Sequence, residues 1–137
     1  MILLIDSSNI DNIYLALGQA GKILFSSKVP AKFAHSERLI PELDKLLQQA
    51  NITPDKLEGI IVVSGPGSFT ALRIGLAVAN ALAWVYQIKN VGLPKDQFVD
   101  YEDLLVKGEE RLKKTTKWQI IEPTYGSEPN ISIGKKQ

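Results

Sequence analysis

The groups in this chain best placed to do chemistry are the backbone amides of one turn. Ser64-Gly65-Pro66-Gly67-Ser68-Phe69-Thr70 closes an apolar run and opens a helix. Gly65 and Gly67 can take positive φ and let a partner approach the main chain, while Pro66 fixes one φ between them. Ser68 or Thr70 can cap the helix that follows. N–H groups left free at such a helix start suit a phosphate or a carboxylate. A P-loop is excluded, because Gly-x-x-x-x-Gly-Lys-Ser/Thr is absent. A dinucleotide fingerprint is excluded too, because Gly65, Gly67 and Gly75 do not make Gly-x-Gly-x-x-Gly. The same string also serves as a structural strand-to-helix turn.

Other chemistry is sparse. His35 is the single histidine, so no His-x-x-x-His metal pair can form, and it reads as a cap or interface residue. Arg73, in the first turn of the helix, can clamp a phosphate or an acidic partner, or make a surface ion pair. Cysteine is absent, which removes disulfides, thiol catalysis and Cys-ligated metal. Sixteen basic and 15 acidic residues leave a net charge of +1, too little for autonomous nucleic-acid binding. Met1 to Ile5 is apolar but is broken by Asp6, so neither a signal peptide nor a membrane span is expected. The expected compartment is the cytoplasm.

These residues need elements to hold them. Ile2 to Ile5 reads as a short apolar strand, Ile13 to Leu17 as a second, and Ile23 to Val29, closed by Pro30, as a third. A turn within Gly18 to Gly21 makes the pair a hairpin. From Ser36, Leu39, Ile40, Leu43, Leu46, Leu47 and Ala50 recur at helical spacing, with Pro41 in the first turn or at a kink. Asn51 ends that helix, and Thr53-Pro54 starts a turn. Leu57 and Ile60 to Val63 read as a strand buried on both faces. Leu72 to Tyr86 is a helix on which Ala71, Gly75, Ala79 and Ala83 form a ridge of small residues. That ridge can face the chain's own core or a second subunit. Trp84 and Trp118 read as core. Lys95 to Tyr101 reads as loop, Tyr101 to Leu112 as a short helical stretch, and Trp118 to Ile121 as a final strand or docking segment.

Meander, helix, buried strand and helix, in that order, match one ribonuclease H-like lobe of the actin/hexokinase/Hsp70 superfold (ASKHA). An α/β lobe is therefore expected over residues 1–125, with a mixed five-stranded sheet, an antiparallel meander and helices packed on it. Residues 126–137 read as a mobile tail. A right-handed crossover puts the Ile60 strand parallel to the Leu3 strand, which brings Asp6 and Ser7 to Gly65 and Gly67. In active members of this superfold the first acidic residue holds a metal-bound water or a nucleotide phosphate through magnesium. A turn role for Asp6 is the alternative.

The string from Gly65 to Gly75 closely resembles the Gly-Pro-Gly-Ser-Phe-Thr-Gly-Leu-Arg-Ile-Gly signature of the TsaB (YeaZ) family, with Ala71 as its one departure. Leu4-Ile5-Asp6-Ser7-Ser8 resembles that family's Ile-Asp-Thr-Ser, and His35-Ser36-Glu37-Arg38-Leu39-Ile40-Pro41 its His-Ser-Glu-x-Leu-x-Pro. The resemblance runs from about Met1 to about Gly92. Glu122-Pro123-Thr124-Tyr125 is similar to the family's C-terminal Pro-x-Tyr, although the second lobe that lies between is missing.

The resemblance implies a non-catalytic dimerisation or scaffold subunit in tRNA threonylcarbamoyladenosine synthesis. It would support the catalytic subunit TsaD, together with the ATPase TsaE, in modifying the adenosine beside the anticodon. ATP and metal would belong to those partners, tRNA would be met only through the complex, and a homodimer would form without TsaD. The implied interface comprises His35, Arg38, Leu39, Leu43, Thr70, Ala71, Leu72, Arg73, Gly75 and Ala79. Candidates for a ligand or phosphate are Asp6, Ser7, Gly65, Gly67 and Ser68, with no catalytic or metal residue. The alternative is a nucleotide-dependent kinase-like or metallopeptidase-like enzyme of the same superfold.

Overall fold

In the computed structural model, which describes residues 1–125, the chain runs β1 (Ile2–Asp6), β2 (Asn12–Gln19), β3 (Lys22–Pro30), α1 (His35–Gln49), β4 (Gly59–Gly65), α2 (Phe69–Tyr86), β5 (Asn90–Pro94) and α3 (Tyr101–Lys113). The expected tail at 126–137 lies outside the described residues. The strands form one sheet in the order β3-β2-β1-β4-β5. β1 is antiparallel to β2 and parallel to β4, with Ile2 opposite Gly59 and Ile5 opposite Val62. The parallel pairing expected of the crossover is present.

Alternation along the central strands decides where the helices go. Leu3, Ile5, Ile60 and Val62 face one side, where Leu39 and Leu46 of α1 and Leu76 and Ala79 of α2 cover them. Ile2, Leu4, Ile61 and Val63 face the other, under Leu104, Leu105 and Leu112 of α3. Both faces are closed, as the near-continuous apolar run of β4 requires. Full burial of each such Leu or Ile is worth about 1.5–3 kcal/mol, so a charge at Leu46 or Ile61 would remove more than any surface pair supplies.

α1 buries its leucine stripe and keeps Pro41 inside the helix, in its second turn rather than its first. Asn51, at φ 56°, takes the left-handed conformation that stops it. α2 is 18 residues long and apolar enough, by length and composition, to cross a membrane. Here it lies across the sheet, one face buried and the other open.

Three expectations are corrected. The fifth strand is Asn90–Pro94, parallel to β4, and of the two readings of Trp118 to Ile121 it is the docking segment that is present, not the strand. Gly92 and Pro94 break the apolar run of β5 so early that no strand pattern shows. Ser68 occupies the N-cap of α2, but its hydroxyl makes no capping bond. Its N–H donates instead to the carbonyl of Ser8 at 3.0 Å, so the turn is pinned through the backbone. Trp84 is 59 % exposed and not core.

Candidate functional site

The C-terminal ends of β1 and β4 meet the start of α2, which gathers Asp6, Ser7, Gly65, Gly67 and Ser68 in one place. The side chains of Asp6 and Ser7 and the Ser68 N–H are taken up by neighbouring residues. Asp6 Oδ1 accepts the Ser8 N–H at 2.9 Å and the Ser8 hydroxyl at 2.6 Å. Asp6 Oδ2 accepts the Tyr101 hydroxyl at 2.6 Å. The Tyr101 ring lies flat on Tyr14, with centroids 3.7 Å apart and planes 3° from parallel. Burial, then the bond to the Asp6 carboxylate, pushes the Tyr101 phenol above its ordinary range. Burial likewise raises Tyr14. The Ser7 hydroxyl donates to the Ala71 carbonyl at 2.8 Å beneath α2, in space that only a glycine at position 75 leaves open.

Gly65 has φ +121°, a conformation that favours glycine, and a Cβ there would lie 2.5 Å from the Thr124 carbonyl oxygen. Thr124 thus covers Gly65, while Pro66 and Gly67 of the same turn stay exposed. Open space lies to one side, where a cavity of about 290 Å³ is lined by Ile10, Phe33, His35, Ser36, Ser68 and Thr70. His35 is 4 % exposed, and its Nε2 sits 2.9 Å from the Asn9 carbonyl and 3.3 Å from that of Asn12, tying the loop after β1 to α1. Among the described residues no group of three His, Asp or Glu side chains is placed to hold a metal ion.

The residues implied for an interface divide. Arg38 and Thr70 are exposed, and Arg38 pairs with Glu42 at 3.5 Å within α1. Arg73 is half-buried, its guanidinium 4.0 Å from the centre of the Phe69 ring. Leu39, Leu43, Ala71, Leu72, Gly75 and Ala79 are buried. The ridge of small residues faces inward. It lets α2 settle onto β1, where Ser7 reaches between its turns, so it is not the surface an interface would use.

An open apolar face lies elsewhere on the same two helices. Ile40 and Leu43 of α1 and Ala77, Ala81, Val85 and Tyr86 of α2 line a groove of about 400 Å³. Ile40 and Val85 are mostly exposed, and Trp84 continues the face alongside. In the sequence this face shows as apolar surface, Leu82 and Tyr86 included, on more than one side of the helix beside its ridge of alanines. The signal was present in Trp84, Val85 and Tyr86, three large apolar residues in succession that a single core-facing stripe cannot absorb. The roles of Tyr101, Asn80 and Asn90 were missed, and no spacing marks them.

Comparison with known proteins fits this geometry. Residues 28–127 match the family model described as TsaD: tRNA N6-adenosine threonylcarbamoyltransferase. The tRNA threonylcarbamoyladenosine biosynthesis protein TsaB of Bacillus subtilis is 37 % identical over 87 residues, which is 64 % of this chain and 38 % of that protein. The tRNA N6-adenosine threonylcarbamoyltransferase of Desulforapulum autotrophicum is 39 % identical over 59 residues, or 43 % of this chain and 18 % of that one. The solved structure of YeaZ from Pseudomonas aeruginosa superposes with a TM-score of 0.63 at 29 % identity, covering 68 % of this chain and 43 % of YeaZ. The chain therefore spans less than half the length of these relatives.

Proposed function

Because the chain belongs to the family described as TsaD: tRNA N6-adenosine threonylcarbamoyltransferase and is similar to TsaB of Bacillus subtilis and YeaZ of Pseudomonas aeruginosa, we propose that it serves tRNA threonylcarbamoyladenosine biosynthesis as a non-catalytic scaffold. It binds a TsaD homologue, acting with a TsaE homologue, and meets tRNA only through that assembly, in the cytoplasm. It pairs with itself when TsaD is absent. The observation that carries this reading is the apolar face built by Ile40, Trp84 and Val85 on the outside of α1 and α2. Water-exposed area of this kind is stabilised by burial against another apolar helix pair.

The state of Asp6 supports a non-catalytic role. Asp6 is 8 % exposed, and Ser8 and Tyr101 take three of its roughly four acceptor positions, leaving one on Oδ2. The scaffold itself needs neither cofactor nor metal. The test is co-purification with the organism's own TsaD, followed by threonylcarbamoylation assays with and without this chain. Retention of TsaD and a dependence of the modification on this chain are expected. Full modification in its absence would overturn the reading.

A further inference from the structure

Residues 118–125 run over β5 beside α2 to the end of β4, in neither helix nor strand, and side chains of the body hold them there. Asn90, fully buried, accepts the Gln119 N–H at 2.8 Å on Oδ1 and donates from Nδ2 to the Gln119 carbonyl at 2.9 Å. The Gln119 carboxamide returns a bond to the Asn90 carbonyl at 2.7 Å. Two residues on, Asn80 repeats the pattern, accepting the Ile121 N–H at 2.9 Å and donating to its carbonyl at 3.0 Å. Ile121 fills the space above Gly92, where a Cβ would lie 2.5 Å from its side chain. The Ser64 carbonyl accepts the Thr124 N–H at 2.7 Å, and the two hydroxyls lie 2.8 Å apart. Arg73 donates to the Tyr125 hydroxyl.

An Asn amide that pairs both the N–H and the C=O of one residue reads extended backbone as a neighbouring strand does, without requiring a ladder. Two such readers, two residues apart and joined at 3.4 Å, match the period of an extended peptide. With the segment in place Asn90 is 0 % exposed, and Gln119 supplies partners to both atoms of its carboxamide. The connection to α3 is short and exposed at Thr116 and Lys117.

We infer that the groove formed by Ser64, Asn80, Asn90 and Gly92 is a binding site for an extended polypeptide, filled in cis by residues 118–125 and able to take the same segment from a second copy. Its ligand carries a carboxamide residue, an aliphatic residue two positions on, and a Thr-Tyr pair three and four positions after that. Release uncovers Gly65 and frees Arg73. The inference stands on these contacts and does not depend on the scaffold reading.

The test uses the full chain with Gln119→Pro and Ile121→Pro, which delete the two N–H groups that the asparagines read. A fluorescein-labelled peptide of residues 117–125, with the natural sequence, is titrated by polarisation. The double variant should bind it saturably, with a Kd at least tenfold below that of the unaltered chain, whose own segment competes at high effective concentration. Adding Asn80→Leu should weaken binding at least tenfold. A folded double variant that does not bind, or equal binding to both chains, would overturn the inference. Should the double variant fail to fold, amide hydrogen exchange on the unaltered chain decides. Exchange at Gln119, Ile121 and Thr124 that is faster than in β4 supports a separable ligand. Exchange at the β4 rate overturns it.

Discussion

Tyr101 and Ala79 show how single side chains carry the arrangement. The Tyr101 hydroxyl donates to Oδ2 of Asp6, and a hydrogen bond to a charged group is worth about 1.5–3 kcal/mol. Tyr101→Phe should therefore lower stability by about 1–2 kcal/mol at neutral pH. Burial and the Asp6 bond raise the phenol's pKa in the folded state. Its stabilising contribution is thus complete below the unfolded value, near 10, and is lost as pH rises toward the folded one. Denaturant titrations from pH 7 to pH 11 should show the two proteins converging above about pH 10. Curves that stay parallel would mean that the hydroxyl does not donate to Asp6. Ala79 is fully buried against the sheet. Ala79→Leu should overpack the core, costing about 1–3 kcal/mol in thermal or chemical unfolding, and should leave TsaD binding by the folded fraction unchanged.

α1 and α2 each divide into an inner and an outer half, and substitutions should sort accordingly. Leu43 is 5 % exposed, so Leu43→Glu buries an unpaired charge and should cost about 3 kcal/mol or more. Circular dichroism would report loss of fold. Val85 is 58 % exposed. Val85→Glu should change stability by no more than about 0.5 kcal/mol and yet reduce self-association in sedimentation velocity and retention of TsaD. A variant that still associates normally would place the contact elsewhere. The elements themselves were largely legible. The leucine period of α1, the β-branched run of β4 and the turn within Gly18 to Gly21 each carry a local signal that the packing obeys. β5 carried none, because a five-residue strand holding Gly92 and Pro94 is defined by its neighbour β4 and not by its own pattern. The ridge at Ala71, Gly75 and Ala79 was visible, but its direction was not. Small residues permit close approach equally to a sheet and to a helix, and only the position of Ser7 beneath Gly75 selects the sheet. The gathering of Asp6 and Ser7 at the Gly65 turn followed from strand order. The packing of Thr124 on Ser64 and Gly65 did not, because it joins segments sixty residues apart.

At the scale of the molecule, charge and topology set what the chain does alone. With 16 basic and 15 acidic residues, it should bind tRNA by itself no more tightly than non-specific binding allows, with a Kd above about 1 μM at physiological salt. Filter binding against a salt series checks this, and nanomolar binding by the isolated chain would contradict it. The purified chain should also leave ATP intact in a phosphate-release assay, with Asp6→Ala unchanged from background. ATP turnover abolished by Asp6→Ala would contradict the role assigned to Asp6. The sheet order has a further consequence, which concerns how the molecule is made. β2 and β3 are joined by a tight turn and can pair as soon as both exist, and β1 lies beside them. The other edge of β1 waits for β4, since Ile2 pairs with Gly59 and Ile5 with Val62. Parallel pairing between distant segments is slow to form. Until it forms, Ile2-Leu3-Leu4-Ile5 presents an uncharged, β-prone edge to any chain nearby. The crowded interval of synthesis, before β4 has left the ribosome and paired with β1, is therefore when this protein is most exposed to aggregation, and slower translation at lower temperature should raise its soluble yield.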